Sequence, residues 1–198
     1  MAGVINEFKS SFNKDLARTN RFDVRIPIPL ALIGSIGADT KNLSFRCENA
    51  ELPGKNIMTA DRKMGSAPVE KFPYHTAFGE VNFTFIVTDD MAEKIFFDSW
   101  MEIINPTTDY NFQYKSNYAV DISVNQYDVT NQISYTATLY EAFPTAINSL
   151  SLDWSSDGHH KLTIVFAYKQ WVGNYTNSLK QNIVTKGLSG LLNNITAS

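Results

Sequence analysis

A chain of 198 residues suits one domain with appendages. Charged residues are 19% of it and hydrophobic ones 43%, less charge than the roughly one quarter usual in soluble proteins, so part of the surface is expected to be uncharged yet covered by self-association. A formal net charge of −3 excludes a globally basic nucleic-acid binder, and a single cysteine, Cys47, excludes an internal disulfide.

The N-terminus has neither the basic start nor the long apolar core of a signal peptide, and no apolar run approaches the ~20 residues of a membrane-spanning helix. Val4, Ile5, Phe8, Phe12 and Leu16 repeat at helical spacing, which predicts an amphipathic helix over 3–17. Arg21 to Ile28 alternates, with Phe22, Val24, Ile26 and Ile28 inward, as a half-buried strand stopped by prolines. Leu30 to Asp39 is apolar and glycine-punctuated, a packed loop. Leu43 to Asn49 is expected to be a strand in which Leu43, Phe45 and Cys47 share the buried face. It ends in a Leu52-Pro53-Gly54 corner.

The next segment, Lys55 to Phe72, carries Lys55, Asp61, Arg62, Lys63, Glu70 and Lys71 around a Gly65-Ser66-Ala67 tip. A long hairpin explains it best, and a mobile charged loop is the alternative. Because an isolated two-stranded hairpin is only marginally stable in water, it is expected to dock on something. Val81 to Thr88 then alternates, with Val81, Phe83, Phe85 and Val87 on the core face. Thr88-Asp89-Asp90 supplies cap chemistry for a helix over Met91–Ile104, whose buried face is predicted as Ile95, Phe96, Trp100, Ile103 and Ile104, with Asn105-Pro106 as its end. Ala119–Tyr127 and Gln132–Phe143 predict an antiparallel hairpin around Asp128–Asn131. After an Asp153-Trp154 turn, Lys161 to Trp171 reads as the last strand. Residues 173–198, rich in asparagine and serine, carry a short stripe (Leu188, Leu191, Leu192, Ile195) that is too short to hold a helix unaided, so they form an arm ordered only in an assembly.

Chemistry is sparse. His159 and His160 are adjacent and so point apart, and His75 has no ligand-spaced partner. Gly34-Ser35-Ile36-Gly37 lacks the spacing of a phosphate loop, and no serine sits in a nucleophile elbow. No catalytic residue, cofactor or metal site is expected. What stands out is the non-core face of two strands: Asn82, Thr84, Ile86 and Thr88 on one, Ser134, Thr136, Thr138 and Tyr140 on the other. Neither carries a charge. A wall beside moving DNA has this character, wet but without cations to grip phosphates. An ordinary threonine-rich sheet face has it too.

The order of these motifs, the corner at Leu52-Pro53-Gly54, the excursion to Phe72, the alternating strand, helix and hairpin, and the Asp153-Trp154 turn before the closing strand, resembles the tail tube proteins of contractile-tailed bacteriophages over roughly Asn20 to Trp171. The resemblance implies a mainly β fold with a flanking helix, an antiparallel β-sandwich or partly closed barrel, whose inner sheet joins its neighbours into a barrel. It implies a tube domain over 1–172 and an arm over 173–198. It also implies a structural virion protein: hexameric rings stack into a channel that conducts double-stranded DNA without binding it specifically. Sheath, baseplate tube initiator and tail terminator proteins are the implied partners, and assembly takes place in the host cytoplasm. By the same resemblance the hairpin residues Lys55, Asp61, Arg62, Lys63, Gly65, Glu70 and Lys71 contact a neighbouring ring. Asn82, Thr84, Thr88, Ser134, Thr136 and Thr138 are wall. Shorter family members end near the position of Trp171, whereas this chain runs 27 residues further. A tube of a secretion or bacteriocin-like machine, a baseplate tube-initiator paralogue, or a monomeric β-rich binding or hydrolytic module are the alternatives.

Overall fold

The alternation of Val81, Phe83, Phe85 and Val87 marks the strand around which the molecule is built, and all four side chains are buried. The computed structural model describes residues 5, 7, 16–34, 40–63, 65–66, 68–155 and 157–175. Its strands are β1 (Phe22–Arg25), β2 (Cys47–Ala50), β3 (Asn56–Arg62), β4 (Glu70–Ala77), β5 (Val81–Ile86), β6 (Val120–Tyr127), β7 (Ile133–Ile147), β8 (Lys161–Ala167) and β9 (Gln170–Gly173). Its helices are α1 (Thr40–Phe45), α2 (Ala92–Ile104) and α3 (Lys115–Tyr118), with a 3-10 turn at Leu30–Leu32. The main sheet has seven strands in the order β1-β6-β7-β8-β5-β2, with β9 added on β7, while β3 and β4 form a separate two-stranded sheet. Every pairing is antiparallel.

The 15-residue β7 belongs to both halves of the main sheet. Its N-terminal part pairs with β6 on one side and, through Ala137–Tyr140, with β9 on the other. Its C-terminal part, Phe143–Ile147, pairs with β8. Between them Glu141 has φ 53°, a left-handed backbone that a non-glycine residue adopts only when its surroundings hold it. Those surroundings are specific. Asp121 accepts the Glu141 N–H at 3.0 Å, and the Glu141 carboxylate lies between Lys115 at 2.9 Å and Lys169 at 2.6 Å. The sheet thus bends around one core and stays open between its edge strands β1 and β2, in keeping with a sandwich-like antiparallel fold.

That core joins Val24, Ile122, Val124 and Leu139 from one half to Phe83, Phe85, Leu162, Ile164 and Phe166 from the other. Helix α2 closes it with Phe96, Phe97, Trp100 and Ile104. Phe97 stacks on Trp100 at 6.3 Å and meets Phe85 at 5.2 Å, and Trp100 stands edge-on to Phe166 at 6.0 Å. The Trp100 indole N–H donates to the Tyr118 carbonyl at 2.9 Å, so burying this ring leaves no donor unpaired.

Several sequence expectations are corrected. Residues 43–49 are not one strand: α1 runs through Phe45 and the Arg46 N–H closes on the Asn42 carbonyl. Two residues apart on a helix lie about 200° apart, so Leu43 is buried while Phe45 is 84% exposed. On α2 the buried face holds Glu93 and Phe97 where Ile95 was expected, and Ile95 is exposed. The helix begins at Ala92 after Met91, itself at φ 53°, with no side-chain cap on that residue. The last strand is interrupted at Tyr168-Lys169, where the Lys169 N–H bonds to the Tyr140 carbonyl; the chain leaves β5 there but continues along the same edge of β7, passing from Phe143–Ile147 to Ala137–Tyr140. Leu30–Ile33 packs only partly: Leu32 is buried, Leu30 and Ile33 are exposed. The predicted helix over 3–17, apart from residues 5, 7, 16 and 17, and the arm beyond Tyr175 lie outside the described residues.

Candidate assembly surfaces

The most distinctive surface is the β3–β4 hairpin, and it is anchored only at its base. Pro53 is buried, and the Trp171 indole N–H donates to the Gly54 carbonyl at 2.9 Å, which fixes the Leu-Pro-Gly corner to β9. On the return side Phe78 rests against Tyr168, ring centroids 6.1 Å apart. Beyond that base all seven residues of β3 are exposed, and no described residue covers them. Gly65 at the tip has φ 58°, which glycine adopts without strain. Asp61 lies opposite Lys71 and Arg62 opposite Glu70, so the charges near the tip alternate across the ladder. Nearer the base the exposed residues turn apolar: Ile57, Met58, Phe72 and Tyr74. The sequence pointed to a hairpin over 54–72 with its charges, whereas the ladder runs on to Ala77; it did not show this apolar set, because a bulge between Met58 and Thr59 interrupts the alternation.

The two uncharged stretches lie on different halves of the sheet, and the one on β7 continues onto the charged Asp23–Arg25 pair of β1. Ser134, Thr136 and Thr138 lie on the part of β7 between β6 and β9, whereas Asn82 and Thr84 lie on β5, between β2 and β8. Thr136 donates its hydroxyl to Asn125 at 2.8 Å, Asn125 donates to Asp23 at 2.8 Å, and Arg25 closes the row on Asp23 at 3.1 Å. This line of bonds runs across β7, β6 and β1 and satisfies the nearly buried Asn125. Arg25, held by Asp23, has its already high pKa raised further. Ser134 bonds to the Gln126 carbonyl at 3.1 Å. On the other half Thr84 and Thr163 share a hydrogen bond at 3.0 Å, and Glu51 accepts both N–H groups of Asn82 at 3.0 Å.

Thr88 departs from this set. It lies past the end of β5, and its hydroxyl reaches Asp90 and Glu93. Glu93, buried at the start of α2, also accepts the Thr88 N–H at 3.0 Å and pairs with Arg46. Burial pushes its carboxyl up, yet these donors outweigh burial and hold its pKa below the usual value. The Asp153 carboxylate accepts the Ser155 N–H at 2.9 Å and its hydroxyl at 2.8 Å, which lowers its pKa and closes the turn. That turn presents Trp154 completely, at 107% relative exposure, beside Leu152 at 87%. Among the described residues no group of three or more His, Cys, Asp or Glu side chains could hold a metal ion, and no helix is long and apolar enough to cross a membrane.

The fold is thus a bent antiparallel sheet with one flanking helix and a projecting, exposed hairpin. The phage tail tube protein family model matches residues 17–174, and the chain belongs to that family, whose members are structural proteins and not enzymes. It is a component of a phage tail particle. No curated protein matches the sequence. Among solved structures the chain is similar to one in the six-fold symmetrised cryo-EM structure of the anti-feeding prophage baseplate, with a TM-score of 0.60 and 12% identity over 80% of this chain and 95% of that one. It is also similar to a chain of the extended sheath–tube complex of the PVC extracellular contractile injection system, with a TM-score of 0.58 and 15% identity over 83% and 96%. A chain of the anti-feeding prophage tube-terminating cap gives a TM-score of 0.58 and 16% identity over 81% and 92%. At these identities the likeness is one of fold.

Proposed function

We propose that this tail tube protein assembles into hexameric rings that stack into a channel for double-stranded DNA. The hairpin carries the reading. A two-stranded ribbon with both strands exposed is marginal alone, so its stability comes from a surface outside the protomer. Neighbouring rings supply that surface. The uncharged faces around Asn82 and Thr84, and around Ser134, Thr136 and Thr138, are proposed as wall, where an uncharged polar lining lets phosphates pass without being held. The open edges of β1 and β2 are where the sheet continues into the neighbouring subunits. Sheath, baseplate tube initiator and tail terminator proteins are the proposed partners, and assembly in the host cytoplasm precedes packaging into the virion. The likeness in fold to chains of extracellular injection systems favours one second reading, a tube that carries a protein cargo.

Electron microscopy of the purified protein, beside a hairpin-shortened variant, tests the proposal. Met58 and His75 face each other in the ladder, so replacing Thr59–Tyr74 by Asn-Gly closes the hairpin two residues past them. The parent is expected to form rings and stacked tubes, and the variant a folded subunit that does not stack. Unchanged tubes from the variant, or only monomers from the parent at high concentration, would refute the proposal.

A further inference from the structure

The hairpin leaves the main sheet at one end and the Trp154 turn leaves it at the other. Strand β5 enters from the hairpin at Val81, opposite Phe166, and exits at Ile86, opposite Lys161, where the loop from β7 arrives. Each end carries exposed apolar groups of its own. At the hairpin end these are Ile57, Met58, Phe72 and Tyr74, between 45% and 67% exposed. At the far end they are Leu152 and Trp154, on a turn closed by Asp153, together with Phe45 just before β2. A fully exposed tryptophan on a hydrogen-bonded turn has the character of a binding anchor, a large apolar surface to bury on docking.

The charges of the two ends are opposite. The hairpin has Lys55, Arg62, Lys63 and Lys71 against Asp61 and Glu70, and is net positive. At the far end Lys161 is paired with Glu48 and Arg46 with Glu93, which leaves Asp89, Asp90, Asp153 and Asp157 as a net negative rim. Hydrogen bonds hold both Asp90 and Asp153 below the usual carboxylate range, which favours their charged form.

We infer that the Leu152–Trp154 turn and its acidic rim are the socket that receives the β3–β4 hairpin of a second copy of this chain in the next ring. This rests on the proposal that the hairpin makes the inter-ring contact, and it names the other side of that contact. Because plug and socket lie at opposite ends of one molecule, the interface is head-to-tail and does not close, so it propagates as an open stack. The rim steers the basic hairpin toward the turn, and Trp154 and Leu152 cover its apolar base.

The test uses two full-length proteins, the hairpin-shortened variant and a socket variant carrying Leu152→Ser with Trp154→Ser. Asp153 is retained so that the turn keeps its shape, and circular dichroism checks the fold of each. Sedimentation of the parent is expected to show long stacks, and each variant alone single rings. Mixed, the two are expected to give a species of two rings and nothing longer, since the socket variant still offers a hairpin and the shortened variant still offers a socket. If the socket variant stacks like the parent while the shortened one does not, the hairpin still bridges rings but this socket is wrong. If neither variant stacks and mixing yields no two-ring species, the patches are not each other's partner and the inference falls. If the shortened variant stacks normally, it is the underlying reading of the hairpin that fails.

Discussion

Replacing Glu93 by glutamine keeps the volume of the side chain and removes its charge, so it isolates what the buried carboxylate does at the start of α2. One carboxylate oxygen faces Arg46, and the other accepts the Thr88 N–H at 3.0 Å and the Thr88 hydroxyl at 2.9 Å. Glutamine has a single oxygen, so its amide nitrogen must face either Arg46 or Thr88, donor against donor. Hydrogen bonds to a charged group contribute about 1.5–3 kcal/mol each, and the Arg46 side chain is 32% exposed, which screens its share. A loss of about 2–3 kcal/mol is expected, or roughly 5–10 °C in Tm for a domain of this size. The pH dependence has a definite sign. Since the folded pKa of Glu93 lies below its ordinary value of 4.5, its stabilisation is present above that value and is lost as pH falls through the lower folded one. Urea denaturation of dilute parent and variant from neutral pH into acid should show a gap that is constant down to about pH 5.5 and shrinks below about pH 4.5. Equal midpoints near pH 7, or a gap that persists unchanged into acid, would refute this account of the cluster.

Trp171→Phe removes the indole donor from the Gly54 carbonyl and should cost about 1 kcal/mol, with faster hydrogen exchange along 55–77 but not along β5. Exchange unchanged in the hairpin would show that Trp171 does not anchor it. Thr84→Lys and Thr136→Lys, made separately, should permit assembly, and the one facing the channel should slow DNA delivery in low salt and recover as salt is raised. If both deliver DNA at the parental rate, neither face is wall. Burial pushes the Cys47 thiol up to about 12, so at pH 8 it should react with iodoacetamide far more slowly than free cysteine until the protein is unfolded. Mass spectrometry of the labelled protein reads this directly.

The parts of the fold that were legible in the sequence are those with one buried and one polar face. β5 is the clearest case, since Val81, Phe83, Phe85 and Val87 alternate with Asn82 and Thr84 and the core takes one set. Helix α2 was legible as a helix but not in its orientation. Glu93 sits on the buried stripe with Phe96, Phe97, Trp100 and Ile104 because Arg46 and Thr88 come to meet it, and those partners are distant or local contacts that a periodic pattern does not contain. The split between β8 and β9 was hidden for a similar reason. It depends on the bend at Glu141 in another strand, which no feature of Tyr168-Lys169 announces. For the candidate surfaces, the hairpin declared itself through its charges and glycine tip. Its apolar base and the bare presentation of Trp154 depend on what fails to pack against them, which only the folded chain reveals.

The topology also sets an order of events in time. Strand β1 pairs with β6, about a hundred residues further along the chain, whereas β3 pairs with β4 and β6 with β7 through local turns. At roughly 5–20 residues per second of synthesis, β1 waits on the order of 5–20 s for its partner to leave the ribosome. Such long-range pairing is also intrinsically slow, because closing the loop costs entropy before contacts reward it. The hairpin therefore emerges early and can form at once, while the turn carrying Trp154 is made only after β7. If that turn is what receives the hairpin of another copy, a nascent chain displays its hairpin before it carries a turn to receive one, and neighbouring nascent chains on one messenger could not link through this contact until residue 154 has emerged.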